Sequence, residues 1–155
     1  MTGHKDIKEC FSLFPTGVMI AATGYQEKYF GLTINSFSSV SLEPELVLFS
    51  IGSHSYNLDA FKNSDSYILN MMANSQLELA KDFASHDHDR KWINADFTAT
   101  KNSNPLFKNS LGFIECKHHK IIEAGDHNIF IGEVIDFAKL SEEDALQYYK
   151  GSFIS

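Results

Sequence analysis

Between Gly31 and Ile51 the chain concentrates six hydroxyl or amide side chains, Thr33, Asn35, Ser36, Ser38, Ser39 and Ser41, between two apolar runs. Each can hydrogen-bond nearby backbone or a ligand, and flanking strands would hold such a loop rigid. The chemistry on offer is recognition of a polar small molecule; a Ser-rich turn joining two strands is the competing explanation. Ser53-His-Ser55 stands just before a helical pattern. Free N–H groups and the positive end of the dipole favour a phosphate there, and a plain N-cap at Ser55 uses the same donors. Arg90-Lys-Trp92 could offer cationic donors to the same phosphate, against the commoner fate of a solvated charge. In Ala124-Gly-Asp-His127, Gly125 permits a tight turn, and Asp126 can bond its own backbone and fix His127 at a strand start. His86-Asp-His-Asp89 and His118-His119 cluster good ligands, but no third or fourth ligand is spaced to complete a metal site, so a solvated loop is expected. Cys10 and Cys116 have no flanking base or cation and read as small apolar residues.

The elements that must position these groups are mainly strands. Lys5 to Phe14 carries Ile7, Cys10, Phe11 and Phe14 at helical spacing before Pro15, which predicts a short amphipathic helix covering one end of a sheet. Gly17 to Gly24 and Tyr29 to Ile34 read as a hairpin across Gly24-Tyr-Gln-Glu-Lys28, and Leu46 to Ile51 as a third strand. Ser55 to Ser64 predicts a short helix with Leu58 and Phe61 on one face, followed by a strand over Tyr67 to Met72. Ser75 and Glu78 fit a capping box ahead of Leu77, Ala80 and Phe83. Ala84 to Ser110 reads as irregular polar surface loop; Leu111 to His118, Lys120 to Glu123 and His127 to Leu140 read as β-segments. Many strands with only short helices point to a closed or nearly closed barrel.

At 155 residues the chain is expected to form one domain, residues 1–155, with a core that needs no disulfide or metal. A formal charge of −7 with 13 Lys and Arg argues against phosphate-backbone binding, so no nucleic-acid partner is expected. Two cysteines without metal or disulfide spacing fit a reducing cytoplasm. No apolar leader core follows Met1 and no stretch approaches the ~18 apolar residues of a membrane span, so a soluble, unexported protein without membrane contact is expected. GxGxxG, GxxxxGK[ST] and the βαβαβ alternation are missing, so any nucleotide must be held another way.

A set of segments in order along the chain carries a resemblance. They are Phe14-Pro-Thr-Gly-Val18, Gly31-Leu-Thr-Ile-Asn-Ser-Phe-Ser-Ser-Val-Ser-Leu42 with Pro44, and Phe49-Ser-Ile51. Gln76 with Leu79, Phe83-Ala84, Lys91-Trp92, Pro105-Leu106, Glu115-Cys116 and Ala124-Gly-Asp-His-Asn-Ile-Phe-Ile-Gly-Glu-Val134 complete them. From about Phe11 to the C-terminus the chain resembles the flavin reductase-like domain family, which includes reductase components of two-component monooxygenases.

The resemblance implies an FMN-binding split barrel: a mainly β, six-stranded antiparallel Greek-key barrel with short helices, acting as a homodimer. It implies FMN, or FAD, as the flavin and NADH or NADPH as electron donor. Thr33, Asn35, Ser36, Ser39, Val40 and Ser41 match flavin-contacting positions; Lys91 rather than Arg90 matches the cation, beside Ser53 and Ser55 as the phosphate donors. Tyr148, in the closing segment, would line the pocket, although core or dimer packing explains an aromatic pair as well. His127 would orient the pyridine nucleotide rather than act as acid or base, with a structural histidine as the competing reading. The expected activity is an NAD(P)H:flavin oxidoreductase that supplies reduced flavin, with a separate monooxygenase as a candidate recipient. An FMN-binding electron-transfer protein without a productive NAD(P)H site is the alternative, and a barrel binding some other small molecule the third reading.

Overall fold

The computed structural model describes residues 3–154, so Met1, Thr2 and Ser155 of the expected domain span lie outside the described residues. Helix α1 (His4–Ser12) stops short of Pro15, which cannot continue it. No residue of α1 is buried, and Phe11 and Phe14 are 67% and 76% exposed. The apolar face therefore covers nothing in the monomer, contrary to the expected packing on a sheet end.

Strands β1 (Thr16–Gly17), β2 (Met19–Tyr25) and β3 (Lys28–Ile34) follow, with β2 and β3 joined by Gln26 and Glu27, both at positive φ. That two-residue turn matches the strand twist, as hairpin turns with φ > 0 do. Strand β4 (Ser38–Leu42) is an addition to the expected set, so part of the anticipated polar loop is regular edge strand paired with β5 (Glu45–Gly52). The polar residues of β4 sit at a sheet edge, where alternation with Val40 and Leu42 suits a strand as well as a loop.

Helix α2 (Leu58–Asn63) buries Ala60 and Phe61 and leads into β6 (Ser66–Met71). Its N-cap is Asn57, and Ser55 instead accepts the Asn57 N–H two residues on, a turn rather than the expected cap. A 3-10 turn at Asn74–Gln76 precedes α3 (Leu77–Phe83), and here Gln76 Oε1 accepts the Ala73 N–H at 2.9 Å, displacing the Ser75–Glu78 capping box. The stretch expected as irregular loop carries a 3-10 turn at Arg90–Trp92 and the hairpin β7 (Phe97–Ala99) with β8 (Pro105–Phe107). Its aromatic residues stabilise that order: Trp92 and Phe107 pack edge-on against Phe83 at 4.8 and 5.1 Å, and Phe97 packs on Trp92 and Phe107 at 5.4 and 6.0 Å.

The expected segments 111–118 and 120–123 are one strand, β9 (Gly112–Ala124), paired along its length with β10 (His127–Lys139). Gly125, at φ +60, occupies the first central position of the connecting turn. Two bulges, one in β9 at His119 and one in β10 at Ile135, bend this long hairpin. As a result β10 reaches β5 on one side while β9 reaches β6 on the other. The main sheet is antiparallel with order β3-β2-β6-β9-β10-β5-β4, seven strands against the six expected. Strands β11 (Gln147–Tyr149) and β12 (Ser152–Ile154) add to β1 as a small separate sheet.

Side chains from β2 and β5, with three strands between them in that order, share one core with Phe61, Tyr67, Leu69, Cys116 and Phe130, so the sheet curls around it. The other face of β2 and β6 presents Ile20, Ala22 and Ile68 to Ala80, Phe83 and Phe107. Alternate residues of β2 thus enter two cores, which is why its apolar run is continuous.

Candidate active site

A cleft of about 520 Å³ opens where the segment Phe14–Val18 meets Ile34 at the end of β3 and Asn35, Ser36 and Phe37 from the link after it. Met71, Met72, Leu111 and Leu146 supply its apolar floor. Its walls suit a flat ring system edged by a few polar groups. Thr16 Oγ1 is buried without a hydrogen-bond partner, an orphaned polar atom in the lining. Ser36 is fixed on β5: its Oγ accepts the Ser50 N–H at 2.9 Å and contacts the Ser50 carbonyl at 3.4 Å.

Outward along β3 the groups become cationic. Lys91 is 3% exposed, and its ammonium donates to the Gly31 carbonyl at 2.7 Å. Nζ also stands 3.2 Å from His88 Nδ1 and 5.4 Å from the Phe83 ring. No carboxylate pairs with it among the described residues. Burial pushes the Lys91 ammonium down to about 8, as expected of a desolvated cation. A buried cation without a counter-charge is costly and offers a seat to an anion. The seat is closed by His88, whose ring stacks on Tyr56 at 4.1 Å and 9°. Tyr56 Oη in turn accepts from Lys28 at 2.7 Å. Because Tyr56 directly follows Ser53-His-Ser55, this chain of contacts carries that loop to the side of Lys91.

At the end of β5 a second polar group assembles. Gly52 pairs with His127, and the Ser53 N–H donates to the Asp126 carbonyl at 2.9 Å. Asn128 Nδ2 contacts Ser53 Oγ at 3.3 Å, while Asn128 Oδ1 is buried without a partner. Asp126 Oδ1 lies 2.8 Å from His127 Nδ1 and holds the exposed ring, so the aspartate orients the imidazole directly as well as shaping the turn. The hydrogen bond from His127 keeps the Asp126 carboxyl below its ordinary range.

The expected site residues thus divide. Asn35 and Ser36 line the cleft; Lys91 is held at Gly31, further back along β3, and Ser53 and Ser55 lie in the loop that carries Tyr56. His127 stands with Ser53. Thr33 is engaged elsewhere, its hydroxyl donating to the Ala80 carbonyl at 2.6 Å. Ser39 and Ser41 face a different, mostly apolar groove with Val47, Val134 and Phe137, and Val40 is 47% exposed. Tyr148 pairs with Thr16 across the small sheet, packs edge-on against Phe153 and is not itself among the residues that line the cleft. Three residues escaped sequence reasoning. Thr16 was visible as part of the Phe14–Val18 motif, whereas His88 and Tyr56 gave no local signal: their stack joins positions 32 residues apart. His88 was assigned to solvated loop, and the structure instead packs it between Tyr56 and Lys91. Among the described residues no group of three or more His, Cys, Asp or Glu is arranged to hold a metal.

Comparison with known proteins gives one consistent pattern. A family model described as "flavin reductase like domain" matches residues 11–155. A flavin reductase of Pseudomonas putida is 34% identical over 141 residues, covering 90% of this chain and 82% of that protein. The reductase component of the trigonelline monooxygenase of Acinetobacter baylyi is 31% identical over 156 aligned positions, covering 97% of this chain. The chain spans 48% of that relative's length. Among solved structures, the NADH:FAD oxidoreductase of Streptomyces globisporus, in complex with NAD and FAD fragments, superposes with a TM-score of 0.92 at 30% identity, covering 100% of this chain and 95% of that one.

Proposed function

The chain belongs to the flavin reductase like domain family, and on that premise we propose that it reduces FMN, or FAD, with NADH or NADPH. The observation that carries this reading is the buried, carboxylate-free Lys91 held on β3, the strand whose last residue, Ile34, lines a cleft with an orphaned Thr16 hydroxyl. These residues fit a flavin: Asn35, Ser36 and Thr16 offer partners to the ring edge and ribityl chain, and Lys91 with the Ser53–Ser55 backbone offers donors to the phosphate. When both nucleotides are bound, the chemistry supplied is direct hydride transfer from nicotinamide C4 to flavin N5. The protein's share is then distance, stacking and exclusion of water. His127, held by Asp126, orients the pyridine nucleotide without exchanging a proton.

The same reading extends to the assembly. Residues 1–155 act as one flavin-binding domain of split-barrel type and pair as a homodimer, which would cover the exposed Leu42, Phe137 and Leu140. The reduced flavin passes to a separate monooxygenase, as for the relatives named as reductase components. A cytoplasmic setting suits two unpaired cysteines, and no helix among the described residues is long and apolar enough to cross a membrane.

The test is anaerobic titration of the protein with FMN or FAD, following oxidised-flavin absorbance near ~450 nm as NADH or NADPH is added. Protein-dependent bleaching is the expected result. Bound flavin that stays oxidised with both donors would replace the reductase with an electron carrier, and no flavin binding would refute both.

A further inference from the structure

The Lys91 seat contains a feature that its flavin role does not require. An ammonium has only donors, so the 3.2 Å approach of Lys91 Nζ makes His88 Nδ1 an acceptor and places the imidazole proton on Nε2. The ring is neutral in this arrangement. It cannot swing away freely, because it lies flat on Tyr56, itself tied to Lys28. Of the three Lys91 donors, Gly31 takes one and His88 another; the last has no protein partner among the described residues.

Resting on the flavin reading above, we propose that His88 is a positioning residue and proton-coupled latch for the phosphate seat. With the seat empty, His88 holds the Lys91 ammonium. When a phosphate dianion enters, it replaces His88 as acceptor for Lys91, and the freed Nδ1 takes a proton from solvent and donates to the phosphate. One positive charge is gained as the dianion arrives, and no other group need change its protonation.

The surroundings agree with this exchange. His88 is faced from its own segment by His86, Asp87, Asp89 and Lys91, from the loop before α2 by Tyr56, and from β3 by Lys28, whose ammonium is 3.8 Å from Asp89. Desolvation, followed by Lys91 and His86, holds the unliganded ring below the ordinary histidine range, against a smaller opposing effect of Asp89 and Asp87. A dianion in contact reverses the balance by stabilising the imidazolium; an opposite charge at this range moves a titration by roughly 1 to 3 pH units. Between the two midpoints, binding must take up protons.

Calorimetry near pH ~6.5 in buffers of different ionisation heat measures that uptake. FMN binding to the wild type is expected to take up a clear fraction of a proton more than binding to His88→Gln, while riboflavin, which lacks the phosphate, gives no difference. An NMR titration of the wild-type ring needs no variant: the His88 midpoint should rise on saturation with FMN and stay in place with riboflavin. Equal proton uptake by wild type and His88→Gln, or a midpoint unmoved by FMN, overturns the latch while leaving the flavin reading intact. Absence of binding by either flavin overturns both.

Discussion

Replacing Lys91 by Met keeps most of the side-chain volume and removes the charge, and its effect can be worked from the contacts of the ammonium. The variant loses a charge-assisted hydrogen bond of 2.7 Å to the Gly31 carbonyl and the one buried cation of the proposed seat. A hydrogen bond to a charged group contributes about 1.5–3 kcal/mol. One such bond to the flavin phosphate therefore corresponds to roughly 10- to 100-fold in FMN affinity at 1.36 kcal/mol per decade. Riboflavin shares the ring and ribityl contacts but has no phosphate, so its affinity should change by less than about twofold. The pH dependence has a definite sign. Lys91 is charged below about 8 and neutral above it; a bound dianion raises that midpoint, so above about 8 FMN must bring a proton with it. Wild-type FMN affinity should then fall as pH rises through that range, and the Lys91→Met profile should lack this fall. Fluorescence titration with both flavins across pH 7–10 reads all of these quantities. Equal losses for FMN and riboflavin would show that Lys91 holds β3 and does not bind phosphate, and an unchanged FMN affinity would remove it from the site altogether.

Further outcomes follow from other contacts. His127→Ala should lower kcat/KM for NADH or NADPH roughly fivefold, the loss of one hydrogen bond of about 1 kcal/mol, with flavin affinity unchanged in the same titration; Asp126→Asn should show a smaller loss of the same kind. Glu115, 1% exposed, accepts Thr100, Asn102 and Asn104 at 2.6, 2.9 and 2.8 Å and ties the β7–β8 hairpin to β9. Glu115→Ala strands those donors, so calorimetric unfolding should show a stability loss of at least about 2 kcal/mol. A methyl group at Gly132 would strike the Tyr67 hydroxyl and the Cys116 Cβ, which are both fully buried. Gly132→Ala should cost about 1–3 kcal/mol, read as a lowered urea midpoint.

Much of the β framework was legible in order. Alternation, Gly125 and the hairpin patterns locate most strands because these signals are local: side-chain period and turn preference act within a few residues. Other segments were misread where tertiary packing overrides local polarity. Residues 84–110 are polar in sequence, yet Trp92, Phe97 and Phe107 close a core on Phe83 and draw the chain into a 3-10 turn and a hairpin. The strand β4 hides in a Ser-rich run because an edge strand needs burial on only one side.

The chain by itself determined the family pattern, the polar run at 33–41 and the identity of the groups fit for chemistry, since residue type and spacing carry that information. Only the tertiary structure decided what each group is free to do. Thr33 spends its hydroxyl on Ala80, Ser39 and Ser41 turn to another groove, and Lys91 is stripped of water beside a histidine that sequence leaves in a loop. Those differences arise from contacts between residues far apart in the chain, where burial and partner geometry, not residue type, set charge and availability.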